Sequence, residues 1–267
     1  MTHPRLSVSQ MCTYPWPFED DLALWDKLGL SQAGILQNKA DAYGRDATVA
    51  ALRRQGITAT TLITGNFILG EPASWDATRQ TLREVTDLAA IIGGVPYFTP
   101  GPGDGRPADE LAALLAEAVA PSVAYAASRG VRLAIEPTLR PDRSFVHTLR
   151  EGAAVAAAAG LGLIADLGNC WAEPGLADAV RQAGPVIAVV QLCDVVTEPA
   201  PPPPGDRAVP GDGTLDVAGF IAAAAAAGYA GPFELELVGP RIAAEGHGEA
   251  TARAVRAATA LLEEVLP

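Results

Sequence analysis

The chain has 267 residues, of which 49% are hydrophobic, and its 31 acidic and 19 basic residues give a formal net charge of −12. This length suits one large α/β barrel or two small domains, and the acidic balance disfavours nucleic-acid binding, which needs a basic surface. No run of about 18 apolar residues free of charge occurs, so we expect no membrane span.

The amino-terminal residues and the cysteines both indicate a cytoplasmic protein. Residues 1–10 lack the basic start and the apolar run of a signal peptide. Cys12, Cys170 and Cys193 are odd in number and widely spaced, which is typical of reduced thiols rather than of a disulfide framework. Because no CxxC pair is present, we expect no thiolate zinc site.

Short apolar or β-branched runs alternate with segments of helical periodicity along the whole chain. The eight predicted strands are Leu6–Gln10, Gln32–Leu36, Thr58–Thr64, Tyr97–Pro100, Arg132–Glu136, Leu161–Asp166, Val186–Leu192 and Phe233–Val238. The clearest predicted helices are Trp75–Ile92, Asp109–Ser128, Phe145–Ala159 and Glu249–Leu266. Eight strand–helix units predict a single (β/α)₈ TIM barrel over residues 1–267.

An open, doubly wound sheet is the competing architecture. It usually carries a glycine-rich phosphate loop after its first strand, whereas here that strand leads into Met11–Pro15. Pro201–Pro204 interrupts the strand–helix alternation, which resumes directly afterwards. We therefore predict an exposed proline-rich loop over residues 198–210, and no domain boundary there.

Four successive predicted strands end near a carboxylate or an amide: Glu136, Asp166, Gln191 and Glu236. In a closed barrel the carboxyl ends of the strands share one face, where active sites lie. A carboxylate after a buried apolar run costs free energy unless it is paired or binds a cation. A solvated strand end or a salt bridge explains any one of them equally well, but four on adjacent strands predict a shared cation.

Three carboxylates and one amide oxygen form an oxygen-only ligand set, which suits Mn²⁺ or Mg²⁺ better than tetrahedral zinc. None of the three histidines, His3, His147 and His247, follows a predicted strand, and His147 falls within a predicted helix. A metal site built from histidines is therefore not expected. We predict one divalent ion, with Mn²⁺ favoured over Mg²⁺ or Co²⁺.

The second half of the chain carries an ordered series of short motifs. They are Ala134-Ile135-Glu136-Pro137, Asp166-x-x-Asn169, Gln191-x-x-Asp194, Arg207-x-Val209-Pro210-Gly211-Asp212-Gly213-x-Leu215-Asp216, Gly228-Tyr229-x-Gly231 and Glu234-x-Glu236. This series resembles the xylose isomerase-like TIM barrels, a superfamily of sugar phosphate isomerases and epimerases. The resemblance is close over Arg132–Val238, whereas the first half is similar only in its strand–helix rhythm.

The resemblance implies a metal bound by Glu136, Asp166, Gln191 and Glu236. It also implies that Glu136 and Glu236 act as acid and base on opposite faces of the substrate. An arginine like Arg207 contacts a substrate oxygen near the metal in the epimerases of this superfamily.

The chain departs from the superfamily at Gln191 and Asn169, where histidine is common. Gln191 can still coordinate through its amide oxygen, and dehydratase branches, resembling dehydroshikimate or keto-inositol dehydratases, are similar in using an amide there. Asn169 cannot act as an acid or a base, so it is a candidate for substrate binding only.

Three further residues beside predicted strand ends are candidates for substrate binding. Trp16 follows the first strand, Asn66 follows the third, and Trp171 lies just beyond Asp166. Ordinary packing explains the two aromatic residues equally well, and turn chemistry explains Asn66. Arg140 is more typical of a solvated loop than of an anion site.

These features predict a divalent-metal-dependent isomerase or epimerase that acts on a sugar, cyclitol or related keto-polyol. The reaction is proton abstraction next to a metal-bound carbonyl. A lyase of the same barrel family, either a dehydratase or a keto-glycoside-cleaving enzyme, shares the intermediate and stays an alternative.

Two alternatives to an isomerase come from other functional classes. An inactive barrel that serves as a binding protein or complex subunit stays open, whereas an apurinic endonuclease is disfavoured by the few histidines and the acidic charge. We expect a small polyol or keto-sugar as the partner, no nucleic acid and no membrane, and we leave homo-oligomer formation open.

Overall fold

Eight parallel strands close into a barrel in the computed structural model, which describes residues 2–266. Each strand pairs with the next along the chain, and β8 pairs with β1. The strands are β1 Leu6–Ser9, β2 Gln32–Leu36, β3 Thr58–Asn66, β4 Gly93–Thr99, β5 Ala134–Ile135, β6 Gly162–Asp166, β7 Ile187–Leu192 and β8 Phe233–Leu235. The predicted (β/α)₈ TIM barrel is confirmed.

Eleven α-helices are present among residues 2–266, and the longer ones form a ring around the barrel. They are α1 Phe18–Leu28, α2 Gln37–Tyr43, α3 Arg45–Gln55, α4 Trp75–Ile92, α5 Ala108–Ser128, α6 Leu149–Ala159, α7 Leu167–Cys170, α8 Leu176–Ala183, α9 Val217–Ala226, α10 Pro240–Glu245 and α11 His247–Val265. Their apolar faces pack on the outward side chains of the strands and form the main hydrophobic core.

All eight predicted strands are present, and their bounds differ most in β4 and β8. β4 begins at Gly93, four residues before the predicted start, because Gly93 pairs in register with Ala59 of β3. Gly93 and Gly94 have φ angles of 83° and 91°, which glycine tolerates without strain. β8 ends at Leu235, three residues before the predicted end. Glu236 therefore lies just beyond the last strand, at its carboxyl end.

The predicted helix Phe145–Ala159 begins only at Leu149, where α6 starts. The Thr148 hydroxyl accepts a hydrogen bond from the backbone N–H of Glu151, and the Glu151 carboxylate accepts one from the Thr148 backbone in return. This capping box satisfies N–H groups that have no partner within the helix, so the helix starts there. The placement of His147 inside a helix was wrong. Its ring Nδ1 instead lies 2.9 Å from the carbonyl oxygen of Thr138.

Helix α5 is the one helix within residues 2–266 that is long and apolar enough, by length and composition alone, to cross a membrane. It contains Asp109, Glu110 and Glu117. It packs against α4 on one side and α6 on the other. These contacts place α5 in the ring of helices around the barrel.

The interior of the barrel has an apolar layer on one side. The layer consists of Tyr97, Ala134, Ile164 and Val189, one residue from each of β4 to β7. Alternate residues of a strand face the same side of the sheet. Glu136, Asp166 and Gln191 lie two positions beyond members of this layer, so they also point inward, at the carboxyl end.

The segment after β7 is only partly the exposed loop that the sequence predicts. Residues 198–204 are largely exposed, whereas residues 207–210 are buried. Ala208 and Asp194 exchange two backbone hydrogen bonds of 2.8 and 2.9 Å, and the backbone N–H of Arg207 donates to the carbonyl of Val238. The chain thus turns inward at Arg207, and the predicted exposure does not extend to residue 210.

A buried carboxylate, Asp194, holds the loop that precedes α9. It accepts hydrogen bonds of 2.8–3.0 Å from the backbone N–H groups of Val195, Gly211, Gly213 and Leu215. We expect Asp194→Ala to lower the free energy of unfolding by about 3 kcal/mol, because four N–H groups lose a charged acceptor. Urea denaturation followed by circular dichroism measures this change.

Asp216→Ala is the matched control in the same loop. Asp216 caps α9 through a single hydrogen bond to the N–H of Gly219, and losing such a cap costs about 1 kcal/mol. Equal losses in the two variants would contradict the role of Asp194 as the main anchor of the loop.

Candidate active site

Three buried carboxylates meet at the carboxyl end of the barrel. Glu136 follows β5, Asp166 is the last residue of β6, and Glu236 follows β8. One oxygen of each carboxylate lies within 4.8 Å of one oxygen of each of the others. The expectation that these strand ends converge therefore agrees with the geometry.

Arg207 is the cation that contacts this cluster. Its Nη2 lies 2.5 Å from Oδ2 of Asp166, and its Nη1 lies 3.2 Å from Oε1 of Glu236. Gly168 leaves room for it, because a Cβ there would be 2.7 Å from Nε of Arg207. One guanidinium against three carboxylates leaves the cluster with an excess of negative charge.

Asn169 links two of the carboxylates. Its side-chain nitrogen donates to Asp166 at 2.7 Å and to Glu136 at 3.2 Å, and its oxygen accepts from the hydroxyl of Thr138 at 3.1 Å. Asn169 also lies in the wall of the cavity above the cluster. It therefore orients the two acids.

Gln191 lies beneath the cluster and has no exposed surface. Its Nε2 donates to Oε2 of Glu236 at 2.8 Å and to Oε1 of Glu234 at 2.9 Å. The amide oxygen of Gln191, which the sequence predicts as a metal ligand, is buried and has no hydrogen-bond partner within residues 2–266.

Burial raises the pKa of the glutamates in and below the cluster. The pKa of Glu136 lies well above its ordinary value because the carboxylate is buried and faces Glu236 and Asp166. Burial raises the pKa of Glu236 to about 7, although the charge of Arg207 acts in the opposite direction. Burial also raises the pKa of Glu234. An adjacent cation would favour the ionised form of all of these groups.

The donors present fit a divalent cation. Three carboxylate oxygens supply negative charge, and the amide oxygen of Gln191 is a further hard donor. A buried carbonyl oxygen without a partner costs about 1–3 kcal/mol, so the Gln191 oxygen is free to accept a ligand. The acidic triad could therefore hold a divalent metal.

A cavity of about 970 Å³ opens above the cluster at the carboxyl end of the barrel. Glu136, Glu236 and Arg207 lie in its wall, while Arg140 and Arg143 line it from the loop after β5. Cavities of about 300–1,000 Å³ are typical of sites for small molecules. The cavity places the acids within reach of a small ligand.

Three residues that the sequence proposes for substrate binding do not line this cavity. Trp16 packs over Gly248 at the start of α11, Trp171 packs against the hydrophobic core, and the Asn66 side chain accepts a hydrogen bond from Thr99. The structure thus places each of these side chains against neighbouring protein groups and outside the cavity wall. From the loop after β1, Tyr14 lines the cavity instead of Trp16.

Tyr97 and His247 are among the residues of the cavity wall that were missed from the sequence. Tyr97 lies inside the barrel and donates a hydrogen bond of 3.2 Å from its hydroxyl to Glu236. His247 enters from the start of α11, and its Nδ1 lies 3.0 Å from the carbonyl oxygen of Cys12. Strand alternation could have indicated Tyr97, since it faces inward like Thr99, but nothing in the spacing indicates His247.

Comparison with known proteins agrees with this architecture. Residues 23–263 match the family described as xylose isomerase-like TIM barrel. The chain is similar to the solved structure of the IolI protein with a bound zinc atom, with a TM-score of 0.87 and 18% identity over 98% of this chain and 99% of that one. No curated protein matches the chain.

Two solved epimerase structures are also similar. For L-ribulose 3-epimerase the TM-score is 0.79, with 18% identity over 98% of this chain and 95% of that chain. For D-psicose 3-epimerase with D-tagatose, from Clostridium cellulolyticum H10, the TM-score is 0.74, with 17% identity over 98% of each chain. At such identities the structures support the fold alone. The family match spans nearly the whole barrel, and the chain therefore belongs to the xylose isomerase-like TIM barrel family.

Proposed function

We propose that the protein is a divalent-metal-dependent isomerase or epimerase acting on a sugar, a cyclitol or a related keto-polyol. The observation that carries the proposal is the triad of buried carboxylates, with oxygens within 4.8 Å of one another, two of which, Glu136 and Glu236, line a cavity of about 970 Å³. The names of the similar structures, two sugar epimerases and a zinc-containing IolI protein, support it.

The metal ligands in this proposal are Glu136, Asp166, Glu236 and the amide oxygen of Gln191. An oxygen-only set favours Mn²⁺, with Mg²⁺ or Co²⁺ as alternatives. When bound, such an ion polarises a carbonyl oxygen as a Lewis acid.

Glu136 and Glu236 are the proposed acid and base of the reaction. A general base works best when its pKa lies near the working pH, and burial raises the pKa of Glu236 to about 7. Tyr97 and Gln191 hold the Glu236 carboxylate, and Asn169 holds that of Glu136. Either carboxylate can take the proton from a carbon next to a carbonyl, and the other can return a proton to the product.

Arg207 and Asn169 are the proposed substrate contacts, because both lie in the cavity wall beside the acids. Arg207 is held by Asp166 and Glu236, so its position does not depend on a ligand. Its Nε is buried and has no partner within residues 2–266.

Hydrogen exchange tests the proposal without knowledge of the exact substrate. We expect protein loaded with Mn²⁺ to incorporate solvent deuterium into a ketose, cyclitol or keto-glycoside at the carbon next to the carbonyl, whereas metal-free protein does not. Mass spectrometry and NMR of a substrate panel measure the incorporation. Loss of water or of a glycosidic leaving group would favour a lyase, and no reaction across the panel with metal bound would favour a binding protein.

A further inference from the structure

Glu234 is a buried carboxylate that the proposed reaction does not use. It has no exposed surface and lies on β8, two residues before Glu236, so both side chains face the barrel interior. Its register partner on the neighbouring strand β7 is Gln191. Glu234 therefore lies beneath the cluster of three carboxylates and beside the amide of Gln191.

The surroundings of Glu234 hold its carboxylate in one place. The hydroxyls of Thr60 and Ser7 donate to Oε2, and the hydroxyl of Thr61 lies 3.0 Å from both carboxylate oxygens. Gly34 leaves the required space, because a Cβ at that position would be 2.5 Å from Oε2 of Glu234. The hydroxyls of β1 and β3, together with the space left by Gly34 on β2, thus form a pocket that fits the Glu234 carboxylate.

The fixed carboxylate determines which way the Gln191 amide faces. Nε2 of Gln191 lies 2.9 Å from Glu234 and 2.8 Å from Glu236, and the hydroxyl of Tyr97 is a weaker third neighbour at 3.3 Å. When both carboxylates are ionised, as an adjacent cation favours, the reversed amide would set its oxygen against two acceptors, which is unfavourable. The amide oxygen is consequently the atom left without a partner.

We propose that Glu234 is a positioning residue that selects the oxygen of Gln191, rather than its nitrogen, as the donor available to the metal. The proposal rests on the proposed function, because it concerns the same cation. Partners that orient metal ligands typically change metal affinity about 10–100-fold when they are removed. In this chain a carboxylate at position 234 fixes the orientation of a neutral amide, which could otherwise present either end.

Calorimetric titration with Mn²⁺ of the wild type, Glu234→Gln, Gln191→Ala and the double variant tests the proposal. We expect Glu234→Gln to weaken Mn²⁺ binding about 10–100-fold. In the Gln191→Ala background the same change should have little further effect, because Glu234 acts through Gln191 and the two effects are not additive. The unfolding temperature of the metal-free proteins checks the fold separately.

Glu173→Gln is the matched control. Glu173 is also a buried carboxylate, but it binds the N–H of Leu149 and the guanidinium of Arg150 and does not line the cavity. We expect its removal to leave Mn²⁺ affinity unchanged. If Glu234→Gln does not fold, Thr61→Val takes its place, because it removes a hydroxyl that contacts the same carboxylate. We expect Thr61→Val to weaken Mn²⁺ binding several-fold when Gln191 is present, and to have little effect in the Gln191→Ala background.

Two results would overturn the proposal while leaving the proposed function standing. One is a Glu234→Gln variant that binds Mn²⁺ as tightly as the wild type. The other is a loss of Mn²⁺ affinity on Glu234→Gln that is equally large with Gln191 and in the Gln191→Ala background. A wild-type protein that binds no divalent metal would overturn both the proposal and the proposed function.

Discussion

Glu236→Gln is expected to reduce deuterium exchange by at least about 10²–10⁴-fold, the usual contribution of a general acid or base. Glutamine keeps the shape of the side chain but cannot accept a proton at neutral pH. The fold should persist, because the change removes a buried negative charge from a cluster that already has an excess of it. Exchange rates at saturating Mn²⁺ and circular dichroism measure the two effects.

Glu245→Gln serves as the control for this prediction. Glu245 is an exposed acid that pairs with Arg253 on the surface, and surface pairs of this kind contribute little to stability. The deuterium exchange rate of Glu245→Gln should equal that of the wild type. Full activity in Glu236→Gln would refute the acid–base assignment of Glu236.

The second large effect concerns metal content. We expect about one divalent ion per wild-type chain and none in Glu136→Ala, since that variant loses one of the three carboxylates and the network around Asn169. The affinity should fall by more than about 100-fold, because even outer partners of a metal ligand are worth about 10–100-fold. Elemental analysis of the purified proteins gives the stoichiometry.

Thermal unfolding provides an independent readout of the same prediction. Saturation at about 100 times the dissociation constant stabilises a protein by about 2.7 kcal/mol, so Mn²⁺ should raise the unfolding temperature of the wild type but not that of Glu136→Ala. Glu173→Gln should respond like the wild type. If the wild type holds no metal even after incubation with Mn²⁺, the binding-protein interpretation becomes the preferred one.

The barrel could be predicted because its strands are short apolar runs that alternate regularly with segments of helical periodicity. The predicted strand Leu161–Asp166, for example, differs by one residue from β6. The start of β4 was missed because glycine usually weakens a strand, whereas here Gly93 pairs in register with Ala59 of β3. The start of α6 could have been predicted, since Thr148 and Glu151 have the spacing of a capping box.

The convergence of Glu136, Asp166 and Glu236 could also be predicted, because a closed parallel barrel brings all strand ends to one face. Which side chains form the walls of the cavity could not be predicted. Trp16 turns away because it finds a packing partner in Gly248, more than 200 residues further along the chain. Such choices depend on contacts between distant segments, which periodicity does not report.

The segment after β7 combines an exposed part with a part that is anchored by hydrogen bonds. Arg207 and Ala208 are tied to Val238 and Asp194 by backbone hydrogen bonds, whereas residues 198–204 are largely exposed and Pro203 and Pro204 reach the cavity wall. Insertions or deletions near Pro201 can therefore reshape the entrance without displacing the guanidinium at the floor. The length of one proline-rich segment can thus set the shape of the cavity entrance independently of the position of Arg207 and the carboxylates that it contacts.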